Sequence, residues 1–341
     1  MTLSYRTRMR FRRFFSTVII LAVVALLLWL GWLIWLDRFI VYQRGYGAKL
    51  DFSLSAVFPE GKPAVAPSNR SPIDIIYQDG KGPKPSEPVV QTGISGYYID
   101  FESLKTDLAG VKEQLATLPS GTAVLVDVKN PKGLFHYSTA VGDRISGDVD
   151  TAQFDALVEY LTGSKLHVIA RLPAFRDRLF GLNNIPSGIS YEGGGALWLD
   201  KGGCFWLDPT KDKPISYLIS ITKELRNIGF DEVVFTDFCL PDGKNIIFHG
   251  DPVQAITDAA ATLVDSCATE DFWVSFTGNA DFPLPQGNAR LYLENVAAAD
   301  VQTLVEQVTT DDPAVHVLFY AASNDTRYDD YCVLRPLENA L

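Results

Sequence analysis

The sequence predicts an α/β fold, a (β/α)8 TIM-like barrel, preceded by an N-terminal transmembrane helix and a Pro/Gly/Ser-rich stalk. Three observations predict it. Phe14–Leu36 runs for 23 residues without a charge. The following stretch, 37–88, contains the turn-rich strings PEGKPAVAPSNRSP and QDGKGPKPSEP. From residue 89 onward, eight short apolar runs alternate with stretches of helical period, over the length of about 250 residues that a barrel occupies.

The chain begins with a basic cluster, Arg6, Arg8, Arg10, Arg12 and Arg13, within a tail 1–13. The apolar run 14–36 is long enough as a helix to cross the roughly 30 Å hydrocarbon core of a membrane. A cleaved signal peptide has a shorter apolar core, about 7–15 residues. Bulky Asp37-Arg38-Phe39-Ile40-Val41-Tyr42 also follows here, in place of a small-residue cleavage site. Basic residues stay on the cytoplasmic side. The expected topology is therefore a single-pass protein of the cell membrane, with a cytoplasmic N-terminus and an extracytoplasmic barrel. Trp29, Trp32 and Trp35 fall where an interfacial aromatic belt would lie.

The stalk lacks an apolar pattern able to bury a core, except for one short strand candidate, Ile73–Tyr77. Residues 1–44 carry seven Arg and one Asp, a net of +6; the whole chain is −11, which leaves −17 for the remainder. An acidic surface of that size argues against nucleic acid as a partner and against docking on anionic lipid. Cys204, Cys239, Cys267 and Cys332 form no CxxC pair and do not cluster with the four His residues, so neither a metal nor a cofactor is expected.

The strand candidates are Gly96–Asp100, Thr122–Lys129, Leu166–Leu172, Glu232–Phe238, Phe272–Phe276, Arg290–Asn295, Val315–Ala321 and Tyr331–Leu334. Helical period marks Ser103–Leu118, Thr151–Leu161, Pro214–Ile228, Pro252–Cys267 and Ala299–Val308. A doubly wound open sheet is the competing architecture, but no Gly-rich phosphate loop follows any strand.

Barrel enzymes build their sites at the C-terminal ends of strands. Those ends here carry Tyr98 and Asp100, Asp127, Arg171, Asp237 and Glu294. An Asp at such a position often only caps the next helix or turn, and Asp100 and Asp208 suit that role. Asp237 suits it least, because no helical stretch follows for over a dozen residues.

Four blocks of sequence stand out around these strand ends. They are Val126-Asp127-Val128-Lys129-Asn130 with Gly133, and Val168-Ile169-Ala170-Arg171 with Phe175-Arg176-Asp177. The third is Trp198-Leu199-Asp200-Lys201-Gly202-Gly203 leading to Trp206-Leu207-Asp208-Pro209. The fourth is Gly229-Phe230-Asp231-Glu232 leading to Asp237 and Pro241. In order and spacing, over roughly residues 93–245, these blocks resemble a glycosyl-hydrolase domain family of bacterial barrels distantly related to the α-amylase clan.

The resemblance implies a barrel that hydrolyses glycans, with Asp237 as nucleophile. Two departures stand out. Phe238-Cys239-Leu240 lacks the Arg that the family places after the Asp, and the fifth strand carries no Glu where the clan keeps its acid/base. A retaining hydrolase needs two carboxyl groups about 5–5.5 Å apart. Asp127 and Glu294 are the candidate partners of Asp237. Arg171, Trp198, Asp200, Trp206 and Tyr98 are the candidate substrate-binding residues, with Arg171 also placed to hold Asp237 ionised. The function expected is a membrane-anchored hydrolase of envelope or external polysaccharide. The alternative is a barrel that binds glycan, or scaffolds the envelope, without cleaving.

Overall fold

The computed structural model describes residues 93–337 except 143, 194 and 322, together with Trp29 and the short segments 40–43 and 47–50. The chain divides into two units, 1–82 and 83–341. In the first, Ile40–Gln43 pairs antiparallel with Gly47–Leu50. Among the described residues no helix is long and apolar enough to cross a membrane. The expected span 14–36 lies, Trp29 apart, outside the described residues, as does Ile73–Tyr77.

In the second unit, eight parallel strands close into a barrel. They are β1 (Ser95–Tyr98), β2 (Ala123–Asp127), β3 (His167–Pro173), β4 (Glu232–Thr236), β5 (Trp273–Thr277), β6 (Leu291–Leu293), β7 (Val317–Tyr320) and β8 (Cys332–Pro336). Each of the eight strand candidates from residue 89 onward is a barrel strand, and the open-sheet alternative is excluded by the β8–β1 pairing that closes the ring. Successive side chains alternate faces. Ala123, Leu125, Ile169, Val234, Tyr292, Leu318 and Leu334 fill the interior. Val124, Val126, Val168, Val233 and Phe235 face the helices. Both faces are buried, which is why the strands read as unbroken apolar runs.

The helices are α1 (Phe101–Thr106), α2 (Leu108–Ala116), α3 (Thr151–Thr162), α4 (Arg178–Asn183), α5 (Asp212–Ile228), α6 (Pro252–Cys267), α7 (Val301–Val305) and α8 (Pro313–His316). Aspartates set several of their starts by accepting free backbone N–H groups: Asp100 for α1, Asp150 for α3, Asp177 for α4 and Asp251 for α6. The expected helix Ser103–Leu118 is two helices, because Asp107 ends α1 and its side chain caps α2 at Gly110 N. Asp208 starts no helix; it closes a turn onto Thr210, and α5 begins at Asp212.

The loops after β3 and β4 are the long ones. The first carries α4 and then a hairpin whose arms meet at Ser190–Leu197, with Gly188 bridging Leu207 and Leu199 bridging Phe205. Ser190–Tyr191 in turn pairs antiparallel with Ile246–Ile247 of the second loop. Together they make a small flap at the C-terminal end of the barrel.

Candidate active site

Strand parity decides which side chains reach the mouth. In β2 and β3 Asp127 and Arg171 hold inward positions and are direct register partners across the two strands. Arg171 Nε donates to Asp127 Oδ1 at 2.5 Å and Nη2 to Oδ2 at 2.9 Å. The third guanidinium nitrogen, Nη1, lies 4.0 Å from Glu294 Oε1, just past the end of β6. The Arg171 guanidinium also sits over the Tyr320 ring, 5.7 Å from its centroid, and Tyr320 meets Tyr98 edge-on at 5.8 Å. Asp127, Arg171, Glu294, Tyr98 and Tyr320 therefore form one continuous layer across the barrel top.

Asp237 follows the last residue of β4 with φ at 49°, in the left-handed region. Asn295, next to Glu294, has φ at 58°. The backbone thus turns left-handed at Asp237 and beside Glu294. Burial pushes the Asp237 carboxyl above the usual range; Arg176 and Lys129 pull it back, while Asp200 and Glu294 push it further up.

The cation that Asp237 senses most is Arg176, not Arg171 as expected. The bidentate bond to Asp127 orients the Arg171 guanidinium along the β2–β3 seam. Arg176 is itself bound to Asp200, Nε to Oδ2 at 2.6 Å. Asp200 also accepts from Cys204 N at 2.8 Å and Trp206 Nε1 at 3.2 Å. Burial would raise the Asp200 carboxyl, but these three donors bring it below the usual value. Asp200 is thus the knot of its loop.

Trp206 is 8% exposed, so its indole has little surface with which to stack a sugar; it packs under the loop. Trp198 is half-buried and donates from Nε1 to Lys244 O at 3.1 Å. A Cβ on Gly243 would collide with the Trp198 ring, so a glycine is required where that loop crosses it. Both tryptophans hold loops together, Trp206 buried and Trp198 half-buried.

Sequence reasoning missed Tyr320, Arg176 as a partner of Asp237, and the pair Lys129–Asp177. Lys129 Nζ lies 2.6 Å from Asp177 Oδ2, with neither side chain exposed. Tyr320 was open to discovery, since it shares the inward parity of Leu318 in β7 and ends its strand. At the C-terminal end of β5 the inward residue is Thr277, whose buried Oγ1 has no hydrogen-bond partner among the described residues.

Among the described residues no three His, Cys, Asp or Glu side chains are grouped to hold a metal. A cavity of about 1250 Å³ opens between His167, Asp231, Trp273 and His316. It lies at the N-terminal strand ends, the barrel face associated with stability and not chemistry.

A family model described as "Putative glycosyl hydrolase domain" matches residues 107–261. The match spans the four sequence blocks, so over these residues the chain is similar to this family. The matched segment runs from α2 into α6 and contains Asp127, Arg171, Arg176, Asp200 and Asp237. Tyr98, Glu294 and Tyr320 lie outside it and join the site only through barrel closure.

Among solved structures, the chain resembles a hypothetical protein from Ruminiclostridium thermocellum ATCC 27405 at 23% identity and a TM-score of 0.46, covering 53% of this chain and 96% of that one. It also resembles the glycoside hydrolase domain of PelA from Pseudomonas aeruginosa at 12% identity and a TM-score of 0.45, covering 72% and 95%. A GH20 exo-β-N-acetylglucosaminidase from Vibrio harveyi aligns at 6% identity and a TM-score of 0.48, covering 72% and 50%. No curated protein matches the chain.

Proposed function

We propose that the chain is a glycoside hydrolase of envelope or external polysaccharide, held at the outer side of the cell membrane by residues 14–36. The observation that carries the catalytic part is the left-handed Asp237 at the end of β4. Such a conformation costs a non-glycine residue on the order of 1–3 kcal/mol, and strain of this kind concentrates at functional sites.

Asp237 is the proton donor in this reading. Its carboxyl, raised by burial, retains a proton to higher pH than a surface carboxyl does. It would protonate the glycosidic oxygen as the bond to the anomeric carbon breaks. Glu294, with a side chain 40% exposed and facing Arg171, would supply the second carboxylate, as nucleophile or as base toward water. These roles exchange those that the resemblance implied. Asp127 is a positioning residue, since both of its oxygens are engaged by Arg171.

The test is turnover of a panel of α- and β-linked oligosaccharides by the wild type and by Asp237→Asn and Glu294→Gln. Loss of cleavage in both variants, with folding intact, is the expected result. A non-catalytic glycan-binding barrel is the second reading, favoured by Thr277, in place of a carboxylate, at the C-terminal end of β5. Binding by the wild type without turnover on any glycan would select it. For the topology, protease added to intact spheroplasts should remove the barrel, and full protection would overturn the anchored reading.

A further inference from the structure

Trp206 is buried and Trp198 half-buried, so the aromatic ring that the flap exposes most is Tyr191, 43% exposed. Its presentation is built. Tyr191 pairs with Ile246 across the flap, and its N–H donates to Ala196 O at 3.0 Å. Its hydroxyl accepts from Asn245 Nδ2 at 2.9 Å. Asn245 has φ at 63°, so backbone strain is spent at the residue that fixes this ring. Glu192 N closes the arrangement onto Asn245 O at 2.7 Å. Beneath, Trp198 bonds Lys244 O, and Ile189 N bonds Trp206 O at 2.8 Å. The flap is thereby tied through Trp206 and Asp200 to Arg176, the cation beside Asp237. Leu199, 52% exposed, adds apolar surface on the second arm of the hairpin.

We propose that Tyr191 is a sugar-stacking subsite outside the central mouth, which makes the ligand a glycan chain of several residues and not a mono- or disaccharide. An aromatic face suits the apolar face of a pyranose, and a ring already held in place loses little entropy when it stacks. The proposal rests on the glycan-directed reading above, but it does not require cleavage.

The experiment measures Kd by calorimetry for the full chain with cello-, chito- and α-1,4-gluco-oligosaccharides of two and six residues. Tyr191→Ala should weaken the hexamer of the bound series about tenfold, the size expected for one aromatic contact, and leave its dimer within about twofold. Tyr191→Phe keeps the ring but loses the Asn245 tether, so its hexamer affinity should fall between the two. Melting temperatures of the variants check that the fold is intact. Equal loss for both lengths, no loss for either, or no binding of any series overturns the subsite. If Tyr191 governs hexamer binding while the wild type cleaves nothing, the subsite stands and the hydrolase reading falls. If cleavage is robust and Tyr191 is silent, the reverse holds.

Discussion

Arg171 and Asp127 are register partners in adjacent strands and share two hydrogen bonds at the barrel mouth. One guanidinium thereby organises three features of the site: it fixes Asp127, covers Tyr320 and faces Glu294. Removing the carboxylate leaves a largely enclosed cation without its partner. Asp127→Ala should therefore cost about 2 kcal/mol, in the range for hydrogen bonds to charged groups and below that for a fully buried pair. The denaturant midpoint reads this directly, and an unchanged midpoint would show that water replaces the carboxylate.

Asp237 gives a pH-dependent prediction. A carboxyl whose folded pKa is raised contributes stability that is complete below the unfolded value and is lost as pH rises through the folded one. Burial is the first cause of the rise at Asp237. Asp237→Asn removes this loss, and Asn also tolerates the left-handed backbone. The variant should melt above the wild type at pH 7, and the gap should close toward pH 3. A variant that is less stable at pH 7 would mean that the ionised carboxylate is favourably paired.

At the opposite end of the barrel, Glu232 is fully buried and accepts from Arg290 Nη1, from Ser275 Oγ at 2.5 Å and from the Tyr292 hydroxyl at 2.8 Å. His167 Nε2 lies 3.1 Å away. Burial opposes ionisation, but the Arg290 charge and His167 win and bring this carboxyl down to about 2. A depressed carboxyl contributes stability that is present above its unfolded value and is lost as pH falls through the folded one. The barrel should lose stability between about pH 4.5 and 2 on this account. Glu232→Gln should flatten that limb, and Glu232→Ala should cost about 3–5 kcal/mol at pH 7 by leaving Arg290 buried alone. Thermal melts across the acid range would test both.

Gly133 has φ at 83°, and a Cβ there would collide with the Asp177 carboxylate. Gly133→Ala combines left-handed strain with overpacking, for a cost of about 3 kcal/mol. It should also disturb the Lys129–Asp177 pair and the cap of α4. A melting temperature within a degree of the wild type would show that Asp177 can move aside freely.

The barrel was legible in the sequence because strands buried on both faces must be apolar throughout, and eight such runs leave few ways to close. Helix starts were legible where an Asp stood before an amphipathic stretch, as at Asp150 and Asp251. The break at Asp107 inside Ser103–Leu118 was missed because a cap within a continuous helical pattern is visible only once the backbone breaks there. The sequence also identified Asp237, Asp127, Arg171 and Glu294 as strand-end groups, since position along a strand follows from residue order.

Pairing among those groups was decided by tertiary structure. Register across β2 and β3 gave Arg171 to Asp127 and left Arg176 to influence Asp237. Loop packing buried Trp206, half-buried Trp198 and left Tyr191 in solvent. Partner choice and exposure depend on distances between segments far apart in the chain, and residue order does not encode those distances until the barrel has closed.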